Sequence, residues 1–256
     1  MNILCVGDVV GEPGCAHLQK VLPRIKRDCD VDVCIVNGEN SACGNGMLPK
    51  SVEALFQAGA DVVTGGNHTL HRREVHDLLE REPMLLRPYN YPDGAPGHGI
   101  AVVDRGRYQV TVINLLGTVF LDPLGNPFEA LDKALAEAGN PKFCIVDFHA
   151  EATAEKKALA LYADGRISAL FGTHTHVQTA DEQVLPHGTG FLTDVGMTAP
   201  IDSILGMHPA APIERLRLHT PARFLPGEGA CQMDAVLFTL NDQTGKTTAV
   251  KRLQIR

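Results

Sequence analysis

The feature that most constrains this 256-residue chain is a repeated unit. A short apolar run stops abruptly at polar, often metal-capable side chains, in most cases beside glycine. Ile3-Leu4-Cys5-Val6 stops at Gly7-Asp8. The run over 31–36 stops at Asn37-Gly38-Glu39-Asn40, and the run over 61–64 at Gly65-Gly66-Asn67-His68. Later, 143–148 ends at His149, and 168–171 ends at Gly172-Thr173-His174-Thr175-His176. Unbroken apolar runs of this length suit strands buried on both faces. Helical segments separate them. Pro13 opens one that reaches about 27, and Pro49 opens another that reaches about 58. Further helices are expected over about 72–80, 127–138 and 154–162.

This strand–helix rhythm predicts an α/β fold with a largely parallel β core flanked by helices on both faces. Strands are also expected over 100–103 and 109–115, around a turn at Arg105-Gly106. The segment from Gly229 onward, with a turn over 242–245, predicts a closing C-terminal β-hairpin. Pro88, Pro92 and Pro96, interleaved with glycines, mark an irregular stretch that forms either a pocket wall or a surface loop. No repeat or low-complexity linker interrupts the chain, so a single domain over 1–256 is expected.

Composition narrows the function classes. The net charge of −7 is not a basic nucleic-acid footprint, so no DNA-binding role is expected. A small anionic substrate stays compatible with it, because bound cations reverse the local field. The seven cysteines are irregularly spaced and form no CxxC pair, which points to a reducing, cytoplasmic setting. The first apolar run has no basic segment before it and stops at Gly7, which is not a signal-peptide pattern. No apolar stretch reaches the length of a membrane span, so no membrane association is expected. Self-association is common among soluble enzymes, and a homo-oligomer is compatible with the chain, but no segment identifies an interface.

Carboxyl ends of parallel strands are where ligands gather in α/β sheets. Here those ends carry Asp8, Glu39 with Asn40, Asn67 with His68, His149, and His174 with His176. Carboxylate, amide and imidazole donors without thiolate suit divalent iron, manganese or zinc. Glu39 is the candidate bridge between two ions. Taken singly, each residue has a plainer role. Asp8 can cap a turn or a helix, Asn40 and Asn67 can serve turns beside glycine, and His149 can be an ordinary histidine near the surface. Asp194, before Gly196, either anchors a ligating histidine or caps a turn. Arg72-Arg73 reads as a solvated helix start or as a phosphate contact. The joint pattern carries the argument.

Together these blocks resemble the calcineurin-like metallophosphoesterases, and within them the YmdB-like branch of bacterial phosphodiesterases. The matching segments are Gly7-Asp8, Asn37-Gly38-Glu39-Asn40, Gly66-Asn67-His68, Asp147-Phe148-His149-Ala150-Glu151-Ala152-Thr153, Gly172-Thr173-His174-Thr175-His176 and Thr193-Asp194-Val195-Gly196-Met197-Thr198. Val10 stands where the broad superfamily has a histidine, and Glu39 stands where it has an aspartate. The YmdB-like branch shares both departures, and Asn40 takes the missing ligand's role. The resemblance implies a calcineurin-like sandwich and two divalent metal ions, iron first and manganese as its substitute. One ion would be held by Asp8, Glu39, Asn40 and His176, and the other by Glu39, Asn67, His149 and His174. His68 resembles the general acid. The implied activity is hydrolysis of phosphodiesters, including 2′,3′-cyclic nucleotides. A metal-bound hydroxide would attack phosphorus while an imidazole protonates the leaving oxygen. The rival readings are a single-metal hydrolase of another bond, and a regulatory metal-binding protein with weak or no turnover. A P-loop enzyme is excluded because the chain has no GxxxxGK[ST] stretch.

Overall fold

The computed structural model describes residues 1–43 and 45–256. The chain forms β1 (Asn2–Val6), β2 (Asp8–Val9), α1 (Gly11–Asp28), β3 (Val33–Asn37), α2 (Pro49–Ala58) and β4 (Val62–Thr64). A 3-10 turn (Arg73–Val75) leads into α3 (His76–Arg81), followed by β5 (Ile100–Asp104), β6 (Gln109–Leu116), α4 (Pro127–Glu137), β7 (Cys144–His149) and α5 (Thr153–Tyr162). Next come β8 (Ala169–Thr173), β9 (Gln183–Val184), β10 (Gly190–Leu192), β11 (Met197–Pro200), α6 (Ala210–Leu218), β12 (Cys231–Leu240) and β13 (Thr247–Ile255).

The strand–helix rhythm predicted a largely parallel core without saying how it divides; the strands form two facing sheets, the sandwich that the resemblance implied. The first sheet runs β2-β11-β12-β1-β3-β4, with β13 paired to β12. The second runs β5-β6-β7-β8-β10-β9. In the first, β1, β3 and β4 are parallel neighbours, while β12 is antiparallel to β1 and to β13. In the second, β6, β7, β8 and β10 are parallel, and β5 and β9 pair antiparallel at the edges. Apart from β10, both parallel centres are the predicted runs. The closing hairpin of β12 and β13 is also as expected. The pairs β2/β11 and β9/β10 and helix α6 were not read from the sequence, because each is too short or too weakly patterned to stand out.

Side-chain alternation explains why two layers form. Along β1, Ile3 and Cys5 pack with Val33, Ile35 and Val62 against Val112, Ile145, Ala169 and Phe171 of the other sheet. The alternate residues Leu4, Val6, Cys34 and Val36 pack outward against Leu18, Leu22, Val52 and Leu55 of α1 and α2. On the far side, Ile113, Val146 and Phe148 pack against Leu131, Leu135 and Leu159 of α4 and α5. The central strands β1, β3, β4, β6, β7 and β8 are therefore buried on both faces, which is why their sequences are apolar without alternation.

The inner face changes character toward the carboxyl ends. Two residues on from Ile35 the inward position is Asn37, two on from Val62 it is Thr64, and two on from Phe171 it is Thr173. In β7 the inward positions run Ile145, Asp147, His149. The interlayer core thus turns polar at one end of the sandwich. The proline-rich stretch after β4 runs along the second sheet, with the Tyr89 amide donating to the Asn114 carbonyl at 2.7 Å.

Candidate metal centre

At the polar end, Asp147 is fully buried and fully engaged. It accepts from Thr64 Oγ1, from Asn37 Nδ2 at 3.0 Å and from Thr173 Oγ1 at 2.8 Å. Burial nonetheless pushes its carboxyl up to about 6, against the pull of these donors. This network joins strands of both sheets and fixes Thr173 as a donor to Asp147. Thr173 Oγ1 can then only accept from His149 Nδ1, 2.8 Å away. The ring's orientation is thereby set: Nδ1 keeps its proton for Thr173, and Nε2 is the nitrogen turned to the site, where a cation would replace its proton.

Three other donors gather around that nitrogen. Asn67 Oδ1 lies 3.0 Å away, His174 Nδ1 3.1 Å and Glu39 Oε1 3.4 Å. Ligands held about 2.0–2.1 Å from one ion stand roughly 3.0–3.4 Å apart, depending on coordination geometry. The spacing therefore fits a shared cation better than mutual hydrogen bonds between acceptors. Glu39, His149 and His174 can each offer a ligand atom within 4.8 Å of the others, the one such group of His, Cys, Asp and Glu among the described residues. Glu151 Oε2 sits 3.0 Å from His174 Nε2, on the far side of the ring from His149.

Gly66 makes this convergence sterically feasible. A Cβ at that position would lie 2.4 Å from both Glu39 Oε2 and His149 Nε2. Only a bare backbone lets the loop after β4 bring Asn67 so close to the opposite sheet.

Asp8 and His176 lie beside this group. Asp8 is fully buried, and its Oδ1 is 3.7 Å from His176 Nε2. Both Asp8 Oδ1 and His176 Nδ1 are buried without a hydrogen-bond partner among the described residues. A buried carboxylate oxygen left unpaired is costly unless a cation meets it. Asn40 turns its Nδ2 toward His176 Nε2 at 3.4 Å and toward Glu39 Oε1 at 2.8 Å, and its Oδ1 toward His68 Nδ1 at 3.0 Å. The Asn40 oxygen thus faces His68 in this arrangement and would join His176 only with the amide turned over. His68 is half-buried, with Nδ1 also 3.1 Å from Glu39 Oε1 and its amide donating to Glu39 Oε2 at 2.9 Å. All eight sequence-predicted residues therefore meet at the seam between the sheets.

Electrostatics separates the donors. Burial works to raise Glu39, but His149 and His68 more than reverse it and hold the carboxyl well below its usual range. Burial disfavours charge on His149, yet Glu39, Asp8 and Asp147 outweigh it and push the ring up to about 9. Burial, then the charge on His149, drives His174 down to about 3, so it is neutral. Asp8 is raised by burial, opposed by His176 and His149. Two buried carboxylates with one proton on His149 mark a site that draws positive charge.

Glu39, Asn40, His68, His174 and His176 line a cavity of about 400 Å³. Val10, Leu205 and Met207 supply an apolar wall. Arg72 does not line it. Its guanidinium donates to the Cys43 and Asn45 carbonyls at 2.6 and 2.7 Å and pins the loop there. Sequence reading assigned no role to Thr173, Asp147 or Glu151, although all lie in the quoted blocks. The period-two spacing of Asp147 and His149 was the available signal. Asp194 closes a turn to the Gly196 amide at 2.9 Å, one of the two roles foreseen for it, and also accepts the Thr175 amide at 3.1 Å, between the two histidines.

Comparison with known proteins agrees with this architecture. The YmdB-like protein family model matches residues 4–253. The chain is 46% identical to the 2′,3′-cyclic-nucleotide 2′-phosphodiesterase of Bacillus subtilis strain 168, over all of this chain and 97% of that protein. A hypothetical protein from Thermus thermophilus superposes with a TM-score of 0.93 at 40% identity, over 99% of this chain and 98% of the other. The crystal structure of a novel phosphatase from Mycoplasma pneumoniae gives a TM-score of 0.94 at 32% identity, over 100% and 93%. Matched over nearly its whole length in sequence and in fold, the chain belongs to the YmdB-like family of the calcineurin-like metallophosphoesterases.

Proposed function

We propose that this chain is a metal-dependent phosphodiesterase acting on small phosphodiesters, 2′,3′-cyclic nucleotides foremost, with His68 as general acid. The observation that carries this reading is the ring of donors around His149 Nε2, namely Asn67 Oδ1, His174 Nδ1 and Glu39 Oε1, of which His174 and Glu39 line a cavity together with His68. The similarity to a cyclic-nucleotide phosphodiesterase supports the substrate class.

Two cations are proposed. Glu39, Asn67, His149 and His174 would hold one, and Asp8, Glu39, Asn40 and His176 the other, with Glu39 common to both. The unpaired Asp8 Oδ1 supports the second position. Oxygen and imidazole donors without thiolate favour iron, then manganese. Bound divalent cations supply charge neutralisation at phosphate oxygens and lower the pKa of water.

The chain's own groups do the rest. Asn67 and His149 come from opposite sheets and meet at 3.0 Å, so they would hold a cation at the seam between the two. His68 has Nδ1 engaged by Glu39 and Asn40, so Nε2 is the atom that exchanges a proton with the leaving oxygen. No Lys or Arg lines the cavity among the described residues, and the Glu151 carboxylate lies at its edge. A singly charged diester is repelled less there than a doubly charged monoester. The buried thiols of Cys5, Cys34 and Cys144 suit a cytoplasmic location.

The test is metal analysis of anaerobically purified protein, paired with rates on 2′,3′-cyclic, linear diester and monoester substrates. Two metals per chain and a preference for cyclic diesters are expected. About one metal and no diester hydrolysis would overturn the proposal.

A further inference from the structure

Lys156 is a fully buried lysine that the proposed chemistry does not use. It lies in α5, next to Lys157, and its Nζ donates to Asp194 Oδ2 at 2.7 Å with both side chains wholly inaccessible. A desolvated ion pair of this kind stabilises a fold weakly, so its presence calls for another explanation.

The contacts of Asp194 supply one. The oxygen that accepts from Lys156 also accepts the Thr175 amide at 3.1 Å, and the other oxygen accepts the Gly196 amide at 2.9 Å. Thr175 lies between His174 and His176. Both histidines have positive φ, 104° and 62°, a region that side-chain-bearing residues rarely occupy. Such conformations persist only where the surroundings over-determine them. From the other side, the His174 amide donates to Asp8 Oδ2 at 3.1 Å. Gly172 leaves room for the arrangement: a Cβ there would lie 1.9 Å from the Thr193 carbonyl oxygen and 2.8 Å from Lys156 Cδ. The lysine stem thus passes beneath the end of β8 to reach the aspartate.

We propose that Lys156 and Asp194 are a positioning pair. The ammonium fixes the Asp194 carboxylate, the carboxylate holds the Thr175 amide, and this hold keeps His174 and His176 facing the cation site before any cation arrives. The inference rests on the reading of His174 and His176 as ligands. Its alternative is a staple between α5 and the segment after β10 that has no bearing on the metal.

The test uses the full chain carrying Lys156→Met and Asp194→Asn together, so that no unpaired buried charge remains. Asparagine keeps one acceptor where aspartate had two, so the Thr175 and Gly196 amides cannot both be satisfied. Wild type and variant are titrated with Mn²⁺ alone, and thermal unfolding is followed on the metal-stripped chains. The expected result is a Mn²⁺ affinity about 10–100-fold weaker, with the metal-stripped variant unfolding close to wild type. An affinity within about threefold of wild type would overturn the proposal, whatever the stability. Wild type that takes up no Mn²⁺ would overturn the metal reading itself, and this inference with it. Should the variant not fold, hydrogen exchange on the metal-stripped wild type decides. The Thr175 amide is expected to be protected before Mn²⁺ is added, and free exchange until Mn²⁺ arrives would overturn preorganisation by the pair.

Discussion

Thr173 Oγ1 accepts the Nδ1 proton of His149 at 2.8 Å while donating its own to Asp147, so His149 turns its Nε2 toward Asn67, His174 and Glu39. A side chain buried beneath the site thus decides which imidazole nitrogen faces it. Thr173→Val keeps the shape and removes this acceptor. It also leaves one Asp147 oxygen short of a donor. We expect metal affinity to fall about 10–100-fold, measured by titration of the stripped protein with Mn²⁺. Stability should fall by about 1–3 kcal/mol in denaturant unfolding.

Gly66→Ala places a methyl group 2.4 Å from Glu39 Oε2 and His149 Nε2. One of the two must move. Displacement on the order of 1 Å in a catalytic constellation costs about 100-fold in rate. The variant is expected to fold, to bind less metal and to lose at least that much diesterase activity. Unchanged metal content and rate would mean that the loop after β4 need not approach the second sheet so closely.

His68→Ala should leave bound metal close to wild type and lower turnover by about 10²–10⁴-fold. The loss should shrink for a diester with a p-nitrophenolate leaving group, which needs little protonation. Metal content and rates on one sample check both statements. Loss of metal together with rate would make His68 a ligand or a structural residue.

Glu39→Ala should collapse the paired site, leaving fewer than two ions per chain by elemental analysis. Glu39 also accepts the His68 amide and approaches its ring, so His68 should lose its fixed orientation too. Two tightly held ions in the variant would show that Glu39 is not the bridge.

The metal-stripped protein should depend on pH through His149. Its ring is raised to about 9 by Glu39, Asp8 and Asp147 despite burial. The stability from this imidazolium pairing is complete below the unfolded value of about 6.5 and is lost as pH rises through about 9. Glu39 is lowered by His149 and His68 despite burial, so its share is present above an unfolded value near about 4.3 and is lost as pH falls through its lower folded value. A cation competes with the His149 proton, so Mn²⁺ affinity should rise by up to about tenfold per pH unit below that upper limit. His174, driven down to about 3 by burial and by His149, has no proton to displace near neutral pH. Thermal unfolding of stripped and loaded protein across pH checks the first point, and Mn²⁺ titrations at several pH values check the second. Affinity that does not vary with pH would count against His149 as a ligand.

Much of the molecule was legible in the chain. The unbroken apolar runs announced strands buried on both faces, and their sudden polar ends marked one rim. Asp8, Glu39, Asn67, His149 and His174 stood out because each comes directly after such a run or closes it. The short strands β2, β9, β10 and β11 did not, because two to four residues carry too little pattern. Lys156 was hidden for a different reason: beside Lys157 on a helix it reads as solvated, and only the bare backbone of Gly172 makes its burial feasible.

By itself the sequence determined which residue types stand at the strand ends, since local apolar patterning sets where each strand stops and which side chains come next. Tertiary structure alone decided which runs fall in which of the two facing sheets, and that Asn67 meets His149 across the seam. It also decided which nitrogen each histidine offers, which way the Asn40 amide turns and what holds the 174–176 loop. These depend on distances and proton positions between segments far apart in the chain, and no local pattern encodes them.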